Sequence, residues 1–291
     1  MRGAAFGVAL LLTAPAFAQS AKKPVARPEA RAESVKALLD LARSQSSRRD
    51  PQAALDSLAR ARKLAPNSED VLSAYAQMAL AVHAPVPAIL ALEPLTRMAA
   101  SVGQYHYLYG VALMQAGDLE AAGEALQRAE RLEPSHVLTL IALGLTLNGR
   151  KLHAEAKSHL VRGLDLEPDN VEATAALAEA EEGLGEEAAA EAHALRALAR
   201  EPGHATGNLA LGMVRMKQER YAEARDALAR AVAADPSSAK GHYQLSLAYA
   251  RLGDAASAQE QVQLYQRALR EVEERVRLIH GQGAPGDGMR P

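Results

Sequence analysis

The amino-acid sequence predicts an all-α protein, an α-solenoid of stacked antiparallel helix pairs, from three series that share one interval. Prolines stand at 66, 134, 168, 202 and 236, with Ala100 at the one missing place, so every step is a multiple of 34 residues. Alanine recurs at the same interval at 54, 88, 122, 156, 190, 224 and 258. The residues at 42, 76, 110, 144, 178, 212 and 246 are all Ala, Gly or Ser. A fixed period of this length marks a unit that buries its apolar face by stacking on its neighbours.

The chain opens with a segment that does not belong to the array. Arg2 is the only charge before the apolar run Phe6 to Leu12, and Ala16-Phe17-Ala18 supplies a small-x-small cleavage site. Residues 1–18 are therefore expected to be a secretory signal peptide, and the run is too short to span a bilayer. Residues 19–32 combine Pro, Lys, Arg and Ala without apolar periodicity and read as a flexible linker. The array is expected over 33–280, and residues 281–291, with four glycines and two prolines, are expected to form a disordered tail.

Counting back from each proline places repeat starts at Val35, Glu69, Gly103, Val137, Val171, Ala205 and Ala239. Each repeat holds two helical stretches. In the third, His106, Tyr109, Gly110 and Leu113 fall at i, i+3, i+4 and i+7 of a first helix, and Ala122, Leu126 and Ala129 share one face of a second. Gly117-Asp118 makes the turn between them, and Gly185 and Gly253 occupy the same repeat position. The proline ends the second helix, and Ser135, Asp169 or Ser237 after it is expected to cap the next one. Glycine inside a helix costs about 1 kcal/mol relative to Ala, so the small eighth position implies close approach to the second helix at its alanine, the twentieth. Two segments resist the pattern. The second repeat carries Pro85, Pro87 and Pro94, and Pro94 is expected to kink or break its second helix. The stretch GQYHYLYG, residues 103–110, alternates like a strand, but the 34-residue register assigns it to a helix. At the far end Val262, Leu269, Val272, Val276 and Ile279 carry the apolar spacing past the last frame to about His280, which implies a C-terminal capping helix.

The small eighth position, the invariant twentieth alanine and the period resemble the tetratricopeptide repeat (TPR) family over about residues 35–272. The resemblance implies a TPR superhelix of about seven repeats whose concave face is formed mainly by first helices. The family's large aromatic near the fourth position is absent here, replaced by Leu38, Leu72, His106, Leu140, Thr174, Asn208 and His242.

Composition excludes several chemistries. There is no cysteine, so disulfides, thiolate metal sites, cysteine nucleophiles and a lipid-anchored signal are excluded. Nine histidines invite a metal site, but His106 and His242, His136 and His204, and His159 and His193 fall at matching repeat positions. Such positions in adjacent repeats stand at least two helix-packing distances of roughly 8–10 Å apart, too far to share one ion. The sequence has no HExxH, no Gly-rich phosphate loop after a strand and no GxSxG, so no enzyme, cofactor or metal is expected. Net charge is −2, but it is uneven: residues 19–65 carry 11 Lys/Arg against 5 Asp/Glu, and residues 171–204 carry 8 Glu against Arg196 and Arg200. That balance does not suit a nucleic-acid partner.

The function expected is a non-catalytic protein-interaction scaffold, exported to the periplasm or the extracellular space, with no stable membrane insertion after signal removal. The alternative is an accessory or assembly subunit of a larger envelope enzyme or secretion complex. The resemblance implies that first-helix positions two, five, nine, twelve and thirteen line the concave face. Those positions hold Tyr107, Val111 and Met114 in the third repeat, and Ile141, Leu145 and Asn148 in the fourth. The sixth supplies Leu209, Met213 and Met216, and the seventh Tyr243 and Leu247. The fifth interrupts them with an acidic band, Glu172, Glu179 and Glu182. An apolar groove with flexible Met side chains suits a partner's amphipathic helix or extended apolar segment, with Lys or Arg facing the acidic band. Roughly half of these side chains are expected to be core between neighbouring repeats.

Overall fold

A computed structural model describes residues 28–281. The expected signal segment, most of the linker and the tail after Gly281 lie outside the described residues. The described chain forms fourteen α-helices and no strand. The first helices are α1 (Pro28–Ser47), α3 (Glu69–Ala81), α5 (Gly103–Ala116), α7 (Val137–Gly149), α9 (Val171–Leu184), α11 (Ala205–Lys217) and α13 (Ala239–Arg251). The second helices are α2 (Pro51–Leu64), α4 (Pro85–Met98), α6 (Leu119–Leu132), α8 (His153–Leu166), α10 (Glu187–Arg200), α12 (Tyr221–Ala234) and α14 (Ala255–Gly281). Each second helix after α2 and each first helix after α3 begins 34 residues after its predecessor of the same kind.

Each first helix packs on the second helix of its own pair, on the second helix of the preceding pair, and from α5 on also against neighbouring first helices. This is the stacked solenoid expected. The twentieth-position alanines are fully buried from Ala54 to Ala224, and Ala258 in the last pair is only half-buried because no further pair stacks on it. Where the eighth residue is glycine, it meets leucine rather than a second small side chain. A Cβ built on Gly144 would lie 2.4 Å from Leu160 Cγ, and on Gly110 and Gly212 it would lie 2.5 Å from Leu126 and Leu228 Cγ. The carbonyls of Ala122 and Ala224 stand just behind. The glycine thus lets a buried leucine of the second helix reach the backbone of the first.

The turn inside each pair has one geometry throughout. Gly117, Gly185 and Gly253 are left-handed, with φ of 92°, 79° and 82°. Arg49, His83, Lys151 and Glu219 hold the same repeat position at φ between 53° and 62°. Packing therefore imposes this conformation even where no glycine relieves it.

Three local expectations are corrected. Helix α1 begins at Pro28, inside the expected linker, because Glu29-Ala30-Arg31-Ala32 are good helix formers and Pro suits a first helical position. The caps stand one residue later than Ser135, Asp169 and Ser237, at His136, Asn170 and Ser238. Asn170 accepts from Ala173 N and Ser238 from Gly241 N, whereas His136 makes no side-chain cap. Helix α4 runs unbroken through Pro94 to Met98, held by Ala88, Ile89, Ala91, Leu92 and Leu95, all buried. Its Pro85 sits at the helix start, where a missing N–H costs nothing. The strand-like stretch 103–110 is the first half of α5. Helix α14 is 27 residues long and overruns the frame as expected.

Candidate functional site

The apolar first-helix positions divide into two groups. Tyr107, Val111, Met114, Leu145, Met213 and Met216 are half-buried, and Tyr243 and Leu247 are 44% and 37% exposed. Tyr107 sets its ring edge-on to His136 at 5.1 Å, and burial pushes its hydroxyl pKa up, so it stays protonated. Met114 leans on the core of the first three repeats, and Met213 and Met216 on that of the last two. Tyr243 packs against Tyr265 of α14 with ring centroids 5.4 Å apart.

Ile141 and Asn148 are not surface positions. Both are buried, and Asn148 ties the fourth repeat to the fifth by donating from Nδ2 to the Ala176 carbonyl at 2.8 Å. His153 Nδ1 donates to Asn148 Oδ1 at 3.3 Å. The imidazole also lies so close to the backbone of Gly183 that a Cβ there would meet it at 2.4 Å. Burial, then the nearby Lys240 charge, lowers the His153 pKa from its ordinary value.

The acidic band is internally satisfied, which corrects its expected role towards a basic ligand. Glu179 is buried and pairs with Lys240 at 2.7 Å, a bond that runs from the fifth repeat to the seventh. Glu182, also buried, pairs with Lys217 at 2.7 Å, and Lys217 donates as well to the Glu182 carbonyl. Glu172 is partnered by His204 Nε2 at 3.1 Å, which raises the His204 pKa. The neighbouring Glu181, buried too, meets His193 at 2.7 Å and Lys157 at 3.5 Å. A buried carboxylate needs such a partner, because desolvation alone would neutralise it. The partners follow the register: Lys217, His193 and His204 lie within one repeat of their carboxylates, and Lys240 lies two repeats on.

The same register, extended to the first two repeats, finds groove residues that were not anticipated. Leu39, Arg43 and Ser46 of α1 and Asp70, Ser73 and Gln77 of α3 stand at positions two, five, nine or twelve. With Ala74, Met78 and Tyr105 they line a cavity of about 630 Å³. Next to it a cavity of about 1140 Å³ lies between α1 and the turn after α2, lined by Val35, Lys36, Leu64 and Pro66 among others. The first-helix surface is thus polar, with charges of both signs, at its start and mainly apolar from α5 onward, interrupted by the paired carboxylates of α9. Among the described residues no three His, Asp or Glu side chains gather as a metal site requires. No described helix is long and apolar enough to cross a membrane.

Models of the tetratricopeptide repeat match residues 88–136 and 209–274, and a second such model matches residues 36–68, together just over half of the chain. No curated protein matches. Among solved structures, a tetratricopeptide repeat protein from Parabacteroides merdae superposes with a TM-score of 0.65 at 13% identity, over 85% of this chain and 99% of that one. A chain of the APC/C hetero-tetramer Cut9–Hcn1 superposes with a TM-score of 0.59 at 18% identity, over 74% of this chain and 42% of that one. At these identities both likenesses concern the fold.

Proposed function

We propose, for a chain that belongs to the tetratricopeptide repeat family and has the fold of a protein-interaction scaffold, that the first-helix groove from α5 to α13 binds an apolar segment of a partner protein. One observation carries this reading. Tyr107, Met114, Met213 and Tyr243 stand at groove positions of the register, yet each remains at least partly accessible, while Ile141 and Asn148 at the same positions are buried. Tyr side chains that keep open surface supply contact area at low entropic cost, and flexible Met side chains adapt to a helix or an extended strand. The carboxylates between them are already paired, so recognition rests on apolar burial rather than on charge.

The first eighteen residues support export, with the partner met in the periplasm. The role in this reading is a non-catalytic one, in keeping with a repeat fold that serves as an interaction scaffold. The experiment is purification of the exported protein with its partner, followed by affinity measurement on Tyr107→Ala with Met213→Ala. Loss of at least tenfold in affinity with an unchanged helical spectrum is expected. Wild-type affinity in the folded double variant overturns the groove assignment.

A further inference from the structure

Helix α14 does more than cap the last repeat. It reaches back along the solenoid to the second and third pairs, where it touches α4 and α5. Val272 lies directly over the left-handed turn of Gly117, so close that a Cβ at residue 117 would stand 2.4 Å from Val272 Cγ1. Seven residues on, two turns along the same face, Ile279 packs into the apolar cluster that contains Ile89 and Leu113. His280 Nε2 lies 2.8 Å from Asp118 Oδ2, while the other oxygen of Asp118 caps α6. The result is an amphipathic helix seated in a groove of the same chain, with two apolar contacts and a terminal hydrogen bond between His280 and Asp118.

The seat is loosely filled. A cavity of about 360 Å³ remains beside Ile279 and His280, walled by Leu90, Tyr109 and Glu93 among others. Arg275 Nε is buried on the docked helix with no hydrogen-bond partner among the described residues, a penalty that undocking removes. Beyond the frame of the last repeat the helix is held only along this one face, and His280 and Leu278 stay largely exposed. Neither Tyr107 nor Met213 takes part, so this site stands apart from the first-helix groove.

We propose that the groove at the Gly117 turn is a second protein-docking site, occupied in the free chain by residues 272–280 and taken over by an amphipathic helix of a partner. The resident helix defines that partner's chemistry. It carries two apolar side chains two turns apart, the second larger than isoleucine so as to fill the cavity, followed by Lys or Arg facing Asp118. Lys or Arg would meet Asp118 as a full positive charge with donors in reach of its free oxygen.

The test uses the full chain carrying Val272→Glu and Ile279→Glu, which puts carboxylates into an apolar seat beside Asp118 and releases the helix. Because the sequence has no cysteine, a spin-label pair at Glu120→Cys and Arg277→Cys reports release as an increased distance. The probe is a fluorescent peptide with the sequence of residues 266–281. It is expected to bind the released variant at least tenfold more tightly than the wild-type chain, and its Ile279→Phe form more tightly still. Absence of binding to a released, folded variant overturns the proposal. So does equal binding to both chains, and so does a wild-type dimer in light scattering that the variant cannot form, which would assign the seat to a second copy.

Discussion

Gly144→Ala tests the packing rule on which the whole array rests. Alanine is favoured over glycine within a helix by about 1 kcal/mol, so at an open helical site the substitution stabilises. Here the added Cβ would lie 2.4, 2.5 and 3.0 Å from Leu160 Cγ, Cδ2 and Cδ1, and Leu160 is fully buried. Ordinary contacts begin near 3.4 Å, so the helices must part or the leucine must leave its rotamer, which costs about 1–3 kcal/mol. The net effect expected is destabilisation by about 1 kcal/mol. In a Leu160→Ala background the overlap disappears and the same substitution should stabilise by about 1 kcal/mol, giving a coupling of about 2 kcal/mol. The fifth repeat already holds that combination, Ala178 opposite Ala194, both buried. Urea unfolding followed by circular dichroism of the four chains reads the cycle. Gly144→Ala acting with the same sign in both backgrounds would refute the argument that the eighth position is small because of the leucine opposite.

Further outcomes follow from the turns, the buried ions and the histidines. Glycine at Arg49, His83, Lys151 or Glu219 should stabilise by about 0.5–1 kcal/mol each, since each residue is held at positive φ, and urea midpoints of the single variants check this. Gly117→Ala should cost more than Gly185→Ala, because Val272 covers the first turn and nothing lies within 4 Å of the second; the same assay compares them. Lys240→Met leaves Glu179 buried without its cation and should cost about 1–2 kcal/mol, a buried-pair penalty discounted for the exposure of the lysine; adding Glu179→Gln should recover most of it. By NMR titration His153 should lose its proton below pH 6.5 and His204 above it. His153 therefore contributes stability that is full above pH 6.5 and is lost as the pH falls through its lowered pKa. His204 contributes stability that is full below pH 6.5 and is lost as the pH rises through its raised pKa, and Glu172→Gln should bring that pKa down. Deleting residues 273–291 removes Ile279 from its cluster and should lower the melting temperature of the remaining array.

The repeat was legible because its determinants are local and periodic. Proline, left-handed turn, small eighth residue and buried alanine each act within one pair, and the same conflict is solved seven times, so the period outweighs any single weak signal. For the same reason the register overruled the strand-like residues 103–110, whereas the expected break at Pro94 does not occur because the buried side chains of α4 hold a helix that local propensity opposes. The caps were misplaced because both residues after the proline are often polar, as in Pro236-Ser237-Ser238, and spacing alone does not choose between them. The chosen residue is the one immediately before the helix, whose carbonyl accepts the first helical bond.

The candidate site was harder to read because its decisive contacts join different repeats. Position along one helix says which side chains share a face, but not whether a neighbour covers them. Met114 stays partly open while Asn148, at the same repeat position, is locked to the next repeat's backbone. The acidic band looked free for the same reason: its cations lie on other pairs, at separations of 35 and 61 residues for Lys217 and Lys240. The seat of α14 lies further beyond reach, since His280 and Asp118 are 162 residues apart and no periodic signal joins them. Yet one trace of it was present. The apolar spacing continued past the last frame, and an amphipathic face that outruns its own repeat must find its partner elsewhere. The solenoid offers that partner where the turn is a glycine that a valine can cover.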